Sequence, residues 1–182
     1  MMTDMRPFYR TMAYLVGAHV LGLLAMTMCR VVLLLSNMPA EGVDWTLLLT
    51  AMAIGVKFDN LIACYLSALP FVVLPILSLC LLGRASQERV MSKAAKVAAW
   101  YYGVLYACVI IIEVSNARYF HFFENHLNIS VTEWFGFVGD TAGLIFGDSV
   151  NWMFLAVAVL LIVLYEIALW GIYRFYNQSL KG

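Results

Sequence analysis

Four long apolar runs constrain this chain more than any other feature. Tyr14–Ser36, Asn60–Leu82, Val97–Val114 and Val150–Tyr173 each approach or exceed the about 20 residues that a helix needs to cross hydrocarbon. A β-barrel would instead show short alternating strands between turns, and none appear. Composition agrees with immersion in lipid. The 182 residues are 64% hydrophobic and 12% charged, with mean hydropathy +0.87. A soluble domain is nearer about half apolar and a quarter charged. The expected fold is all-α, a polytopic membrane helical bundle.

One apolar stretch falls outside the four runs. Trp45–Val56 is about 12 residues, or about 18 Å of helix, too short to cross alone. It is apolar nearly all round, so it does not suit the headgroup plane. The sequence predicts a short re-entrant helix over 45–56, turning back near Lys57 and Asp59 into the second span. The competing reading is a further full span continuing through Lys57 and Asp59, which would bury both charges and leave no room for a turn before the next helix. Pro70 and Pro75 bend the second span, and neighbouring helices can re-satisfy the carbonyls they free.

Basic residues orient the spans. Arg6 and Arg10 precede the first span, Arg84, Arg89, Lys93 and Lys96 fill the loop 83–96, and Arg174 and Lys181 follow the fourth span. The segment 37–44 has only Glu41 and Asp44. The long segment 115–149 sets Arg118 against Glu124, Glu133, Asp140 and Asp148. Four crossings satisfy this bias, with cytoplasmic parts at 1–13, 83–96 and 174–182 and an extracytoplasmic aromatic segment at 115–149. A fifth crossing at 45–56 would put the most basic loop outside. No small-residue cleavage pattern follows the first span, so it is expected to remain as an anchor. Cys29, Cys64, Cys80 and Cys108 lie in apolar spans at irregular spacing, which suits small core hydrophobes and not disulfides or zinc.

Ionisable residues inside such spans mark pairs, water or polar ligands. Arg30, Lys57, Asp59 and Glu113 are predicted to share one depth near the outer surface. Two readings stay open. They form an ion-pair network joining helices, or a site that receives a polar lipid headgroup. Charges kept for structure alone are costly relative to apolar packing. Glu166, in the inner half of the fourth span, suits a transporter carboxylate, or a group that reaches the interface or bonds a neighbouring helix.

The outer segment is crowded with aromatics and charges, including Arg118, Tyr119, Phe120, Trp134 and Phe135. Such mixtures favour the membrane interface, and one or two short helices lying on the outer leaflet are expected. His121 and His126 are five apart, a poor fit to one helix face, so no metal site is expected. Gly139, Gly143 and Gly147 recur every fourth residue, which suits close helix approach or a loop. No phosphate loop, nucleophile elbow, paired-histidine motif or CxxC is present. A net charge of +0 leaves no basic surface for nucleic acid.

The order of these features resembles the N-terminal membrane part of the lipoteichoic-acid-synthase-like phosphoglycerol and phosphoethanolamine transferases and sulfatase relatives of the alkaline phosphatase superfamily. The resemblance rests on Arg30, on Gly55-Val56-Lys57-Phe58-Asp59 followed by Tyr65 and Pro70, and on Glu113-Val114-Ser115 with Tyr119-Phe120 and Phe122-Phe123. It ends with Leu127-Asn128-Ile129-Ser130-Val131 and Trp134-Phe135, and so spans nearly the whole chain. It implies a bacterial inner membrane location, a phospholipid partner and an extracytoplasmic sulfatase-like domain. In the family that domain follows a further span and carries a threonine nucleophile with manganese, magnesium or zinc. None of those roles maps onto a residue here, and no cofactor is expected in this chain. The expected function is therefore anchoring and lipid-headgroup presentation for a transferase, without catalysis by this chain alone. A small transporter or channel subunit and a non-catalytic scaffold are the alternatives.

Overall fold

The computed structural model describes residues 5–38, 44–123 and 147–181. They form four long helices: α1 (Arg6–Ser36), α2 (Trp45–Cys80), α3 (Gln87–Phe123) and α4 (Ser149–Lys181). All four are long and apolar enough to span a membrane. At 1.5 Å per residue they measure about 46 to 56 Å, so their ends or their tilt exceed the roughly 30 Å of hydrocarbon. The chain is a multi-pass helical membrane protein.

Local chemistry sets the helix ends. Pro7 sits in the first turn of α1, where its missing N–H costs nothing. Asn37 closes α1, and its side-chain amide donates to the Leu33 carbonyl at 2.9 Å and to the Ala117 carbonyl of α3 at 3.3 Å. Asp44 caps α2 by accepting from the backbone N–H groups of Thr46 and Leu47. Gly83, at φ +75°, makes the left-handed turn between α2 and α3 that a side chain would strain. Asp148 caps α4 through the Val150 N–H at 2.9 Å.

The cross-section is a diamond. α1 and α3 lie on its short diagonal and each touches all three other helices, whereas α2 and α4 do not touch. The interior stripe of α3 is Met91, Ala95, Ala98, Tyr102, Tyr106, Ile110, Val114 and Ala117, at three- and four-residue spacing. α2 turns a small and polar stripe inward: Gly55, Asp59, Ala63, Ser67, Pro70, Leu74 and Ser78. Leu and Val side chains such as Leu61, Leu69, Val104 and Val159 face outward, because hydrocarbon solvates them as well as a core would. Small inward residues let the helices approach closely.

The separate re-entrant helix over 45–56 is corrected by this architecture. Those residues are the first turns of α2, which runs unbroken through Lys57 and Asp59. Residues two apart on a helix point about 200° apart, so one straight helix buries Asp59 and exposes Lys57 without a turn. The count of four spans is unchanged. α3 also begins within the expected loop 83–96, so Arg89, Lys93 and Lys96 stand on its first turns. At the other end it runs on to Phe123, since no Gly or Pro follows Gly103 in it. The interfacial helices expected farther along, with Trp134, His126 and Gly139, lie outside the described residues.

Candidate functional site

An ion pair crosses the α1–α2 seam within the spans. Arg30 Nη2 donates to Asp59 Oδ1 at 2.5 Å and Nε donates to Asp59 Oδ2 at 3.4 Å. The side chain of Asp59 is 4% exposed and that of Arg30 is 28% exposed. The carboxylate is enclosed while the guanidinium keeps an open edge. Arg is suited to this because its planar fork engages both carboxylate oxygens and still has donors left.

Gly55 makes the pairing possible. It lies one turn from Asp59 on the same buried face, and a Cβ there would collide with the Arg30 guanidinium. The arginine head therefore lies flat against the α2 backbone beside its carboxylate partner. The fragment Gly55–Asp59, which carried part of the family resemblance, is in physical terms a niche and its counter-charge.

Glu113 is half-buried on α3 and, like Asp59, lies within electrostatic reach of the Cys29 thiol beside Arg30. Glu113 has contacts of its own. Arg30, Asp59 and Glu113 thus come to one level on three helices. Lys57 does not join them. It is exposed on the opposite face of α2 and makes no ion pair among the described residues. Of the expected two cations and two carboxylates, Arg30 and Asp59 pair directly, Glu113 lies near them on α3, and Lys57 stands apart.

A second polar tie crosses the same seam. His19 places Nε2 at 3.1 Å from Asn60 Oδ1 and Nδ1 at 3.3 Å from Ser67 Oγ, with its ring edge-on to Phe71. Its partners sit seven residues apart on α2, at helical spacing, and that spacing was the only available signal.

The residues expected in the outer segment divide. Arg118 donates from Nε to Asn151 Oδ1 at 2.6 Å and from Nη2 to Asp148 Oδ2 at 2.5 Å, and its guanidinium lies 5.9 Å from the Phe154 ring centre. It staples α3 to the first turn of α4. Asp148 both caps α4 and pairs with Arg118, a double role invisible without the contact. Tyr119 and Phe120 are half-buried on the last turns of α3, and Trp134 lies outside the described residues.

Glu166 packs at the α3–α4 seam against Gly103, where a Cβ would meet the carboxylate oxygens. It is far along the bundle from Arg30. The aromatic core at this depth links Tyr102 to Tyr106 and Tyr106 to Tyr165, the latter with ring centres 5.1 Å apart. Among the described residues no group of three metal-ligating side chains forms. No family model, curated protein or solved structure matches the chain.

Proposed function

We propose that this membrane protein is an anchoring and headgroup-presenting module, located in a bacterial inner membrane with both termini in the cytoplasm. It holds a phospholipid headgroup at the level of Arg30, Asp59 and Glu113. A partner domain of the sulfatase-like phosphoglycerol or phosphoethanolamine transferase type would carry out the transfer. The observation behind this reading is the half-open guanidinium of Arg30. Asp59 takes Nε and Nη2 and fixes the head in place, while the side chain stays 28% exposed and has N–H donors beyond those two bonds for a phosphate oxygen. Glu113, half-buried on α3, adds carboxylate chemistry of the kind that suits an ethanolamine ammonium or glycerol hydroxyls. The gathering of Arg84, Arg89, Lys93 and Lys96 at the α2–α3 end supports the orientation through the positive-inside bias.

The test reconstitutes the full chain with a photoreactive phospholipid headgroup probe and a sulfatase-like catalytic domain. Labelling should map to α1 and α2 around Arg30, fall at least about fivefold in Arg30→Gln, and be matched by a loss of transfer. Equal labelling in the variant removes the headgroup site. Equal transfer with and without the chain removes the transferase role.

One observation favours a second reading, a scaffold in which the pair only ties helices. Asp59 is almost fully enclosed and its two oxygens are both engaged by Arg30. In that case Arg30→Gln loosens the fold and leaves lipid labelling where it was.

A further inference from the structure

The basic end of the bundle holds a groove that the outer cluster does not involve. It has a volume of about 340 Å³ and is lined by Glu88, Arg89, Ser92 and Lys93 of α3 and Asn177 and Leu180 of α4. Its walls are held firmly. Ser92 Oγ donates to Asn177 Oδ1 at 2.6 Å across the α3–α4 seam. On the far side Arg10 donates to the Ser179 carbonyl, and Thr11 and Tyr176 hydroxyls meet at 3.0 Å, which fix the last turns of α4 against α1.

Two observations point to an anion. Arg89 and Lys93 are four residues apart on one helix, so like charges stack one turn apart and repel. Both are exposed, and neither makes an ion pair among the described residues. The groove also has the mixed lining that a lipid needs. Two cations and the Ser92–Asn177 pair offer polar atoms, while Leu180, largely buried, closes the groove with an apolar floor just beyond the fourth span. Glu88, the lone carboxylate in the lining, leaves the site with a net charge of one cation, matched to a phosphodiester carrying one negative charge.

We propose that this groove binds the phosphodiester headgroup of an anionic glycerophospholipid, with Arg89 and Lys93 on the phosphate oxygens, Ser92 or Asn177 on a headgroup hydroxyl and the acyl chains in the adjoining leaflet. The site stands at the opposite end of the bundle from Arg30 and rests on none of the outer residues.

Native mass spectrometry of the full chain, with phosphatidylglycerol or phosphatidylcholine supplied in the micelle, reads the retained lipid directly. Phosphatidylglycerol should be kept in preference, and less so at high salt. At about fivefold per cation near the surface, Arg89→Gln with Lys93→Gln should lower its retention roughly 25-fold, with helicity checked by circular dichroism. Glu88→Gln should raise retention. Lys96→Gln with Arg174→Gln removes two cations from the same end but outside the groove, and should change retention by less than about threefold. No headgroup preference in the wild type, an unchanged or lowered retention in Glu88→Gln, or an equal loss in the Lys96/Arg174 control each overturns the site. Displacement by submillimolar inorganic phosphate would overturn a lipid as the occupant.

Discussion

The Arg30–Asp59 pair can be weighed by a double-mutant cycle. Two unit charges about 4 Å apart attract by about 4 kcal/mol at an effective dielectric of about 20. Removing one partner of an enclosed pair strands the other, at about 3–5 kcal/mol. Here the guanidinium is 28% exposed and can turn toward the headgroups, so Asp59→Asn belongs at the low end, about 3 kcal/mol. Arg30→Gln strands a carboxylate whose side chain is 4% exposed, and belongs at about 3 kcal/mol or slightly more. Arg30→Gln with Asp59→Asn strands neither charge, and an amide pair can keep one hydrogen bond. The double variant loses only charge-assisted hydrogen bonding, about 2 kcal/mol, against about 6 for the sum of the singles, which is a coupling of about 4 kcal/mol and matches the Coulomb figure. Unfolding in mixed micelles of increasing SDS fraction, followed by far-UV circular dichroism and tryptophan fluorescence, measures each corner. Additive losses, or a coupling below about 0.5 kcal/mol, would refute the account of α1 and α2 as joined by this contact.

Gly55→Ala should destabilise by about 1–3 kcal/mol, because the new methyl occupies the guanidinium niche. The same substitution should be nearly neutral in the Arg30→Gln background, as the same unfolding assay will read. Lys57→Gln should change stability by less than about 0.5 kcal/mol and leave headgroup labelling around Arg30 unaltered, since the side chain faces away from the pair. A loss of labelling like that of Arg30→Gln would place Lys57 in the cluster after all.

Arg30, Lys57, Asp59 and Glu113 stood out in the sequence because each interrupts or borders an apolar run, and hydrocarbon makes any such group conspicuous. Depth along the membrane is legible in this way, since it follows from counting residues at 1.5 Å each. Azimuth follows from spacing as well: residues two apart point to opposite faces of a helix, so α2 passes through Lys57 and Asp59 without the turn expected at 57–59. Partners were harder still. That Asp59 meets Arg30, that Asp148 meets Arg118 and that His19 meets Asn60 and Ser67 depends on which helices are neighbours.

By itself the sequence determined the solvent, the helical class and four crossings, because apolar length and the need to satisfy every backbone amide in lipid permit little else. Only the tertiary structure decided the diamond arrangement, the enclosure of Asp59 beside Gly55 and the groove between Ser92 and Asn177. The physical reason is that lipid tails are as apolar as leucine, so hydropathy does not distinguish a face that meets a helix from one that meets lipid. Small residues, close approach and a few hydrogen bonds make that choice, and they act between segments far apart in the chain.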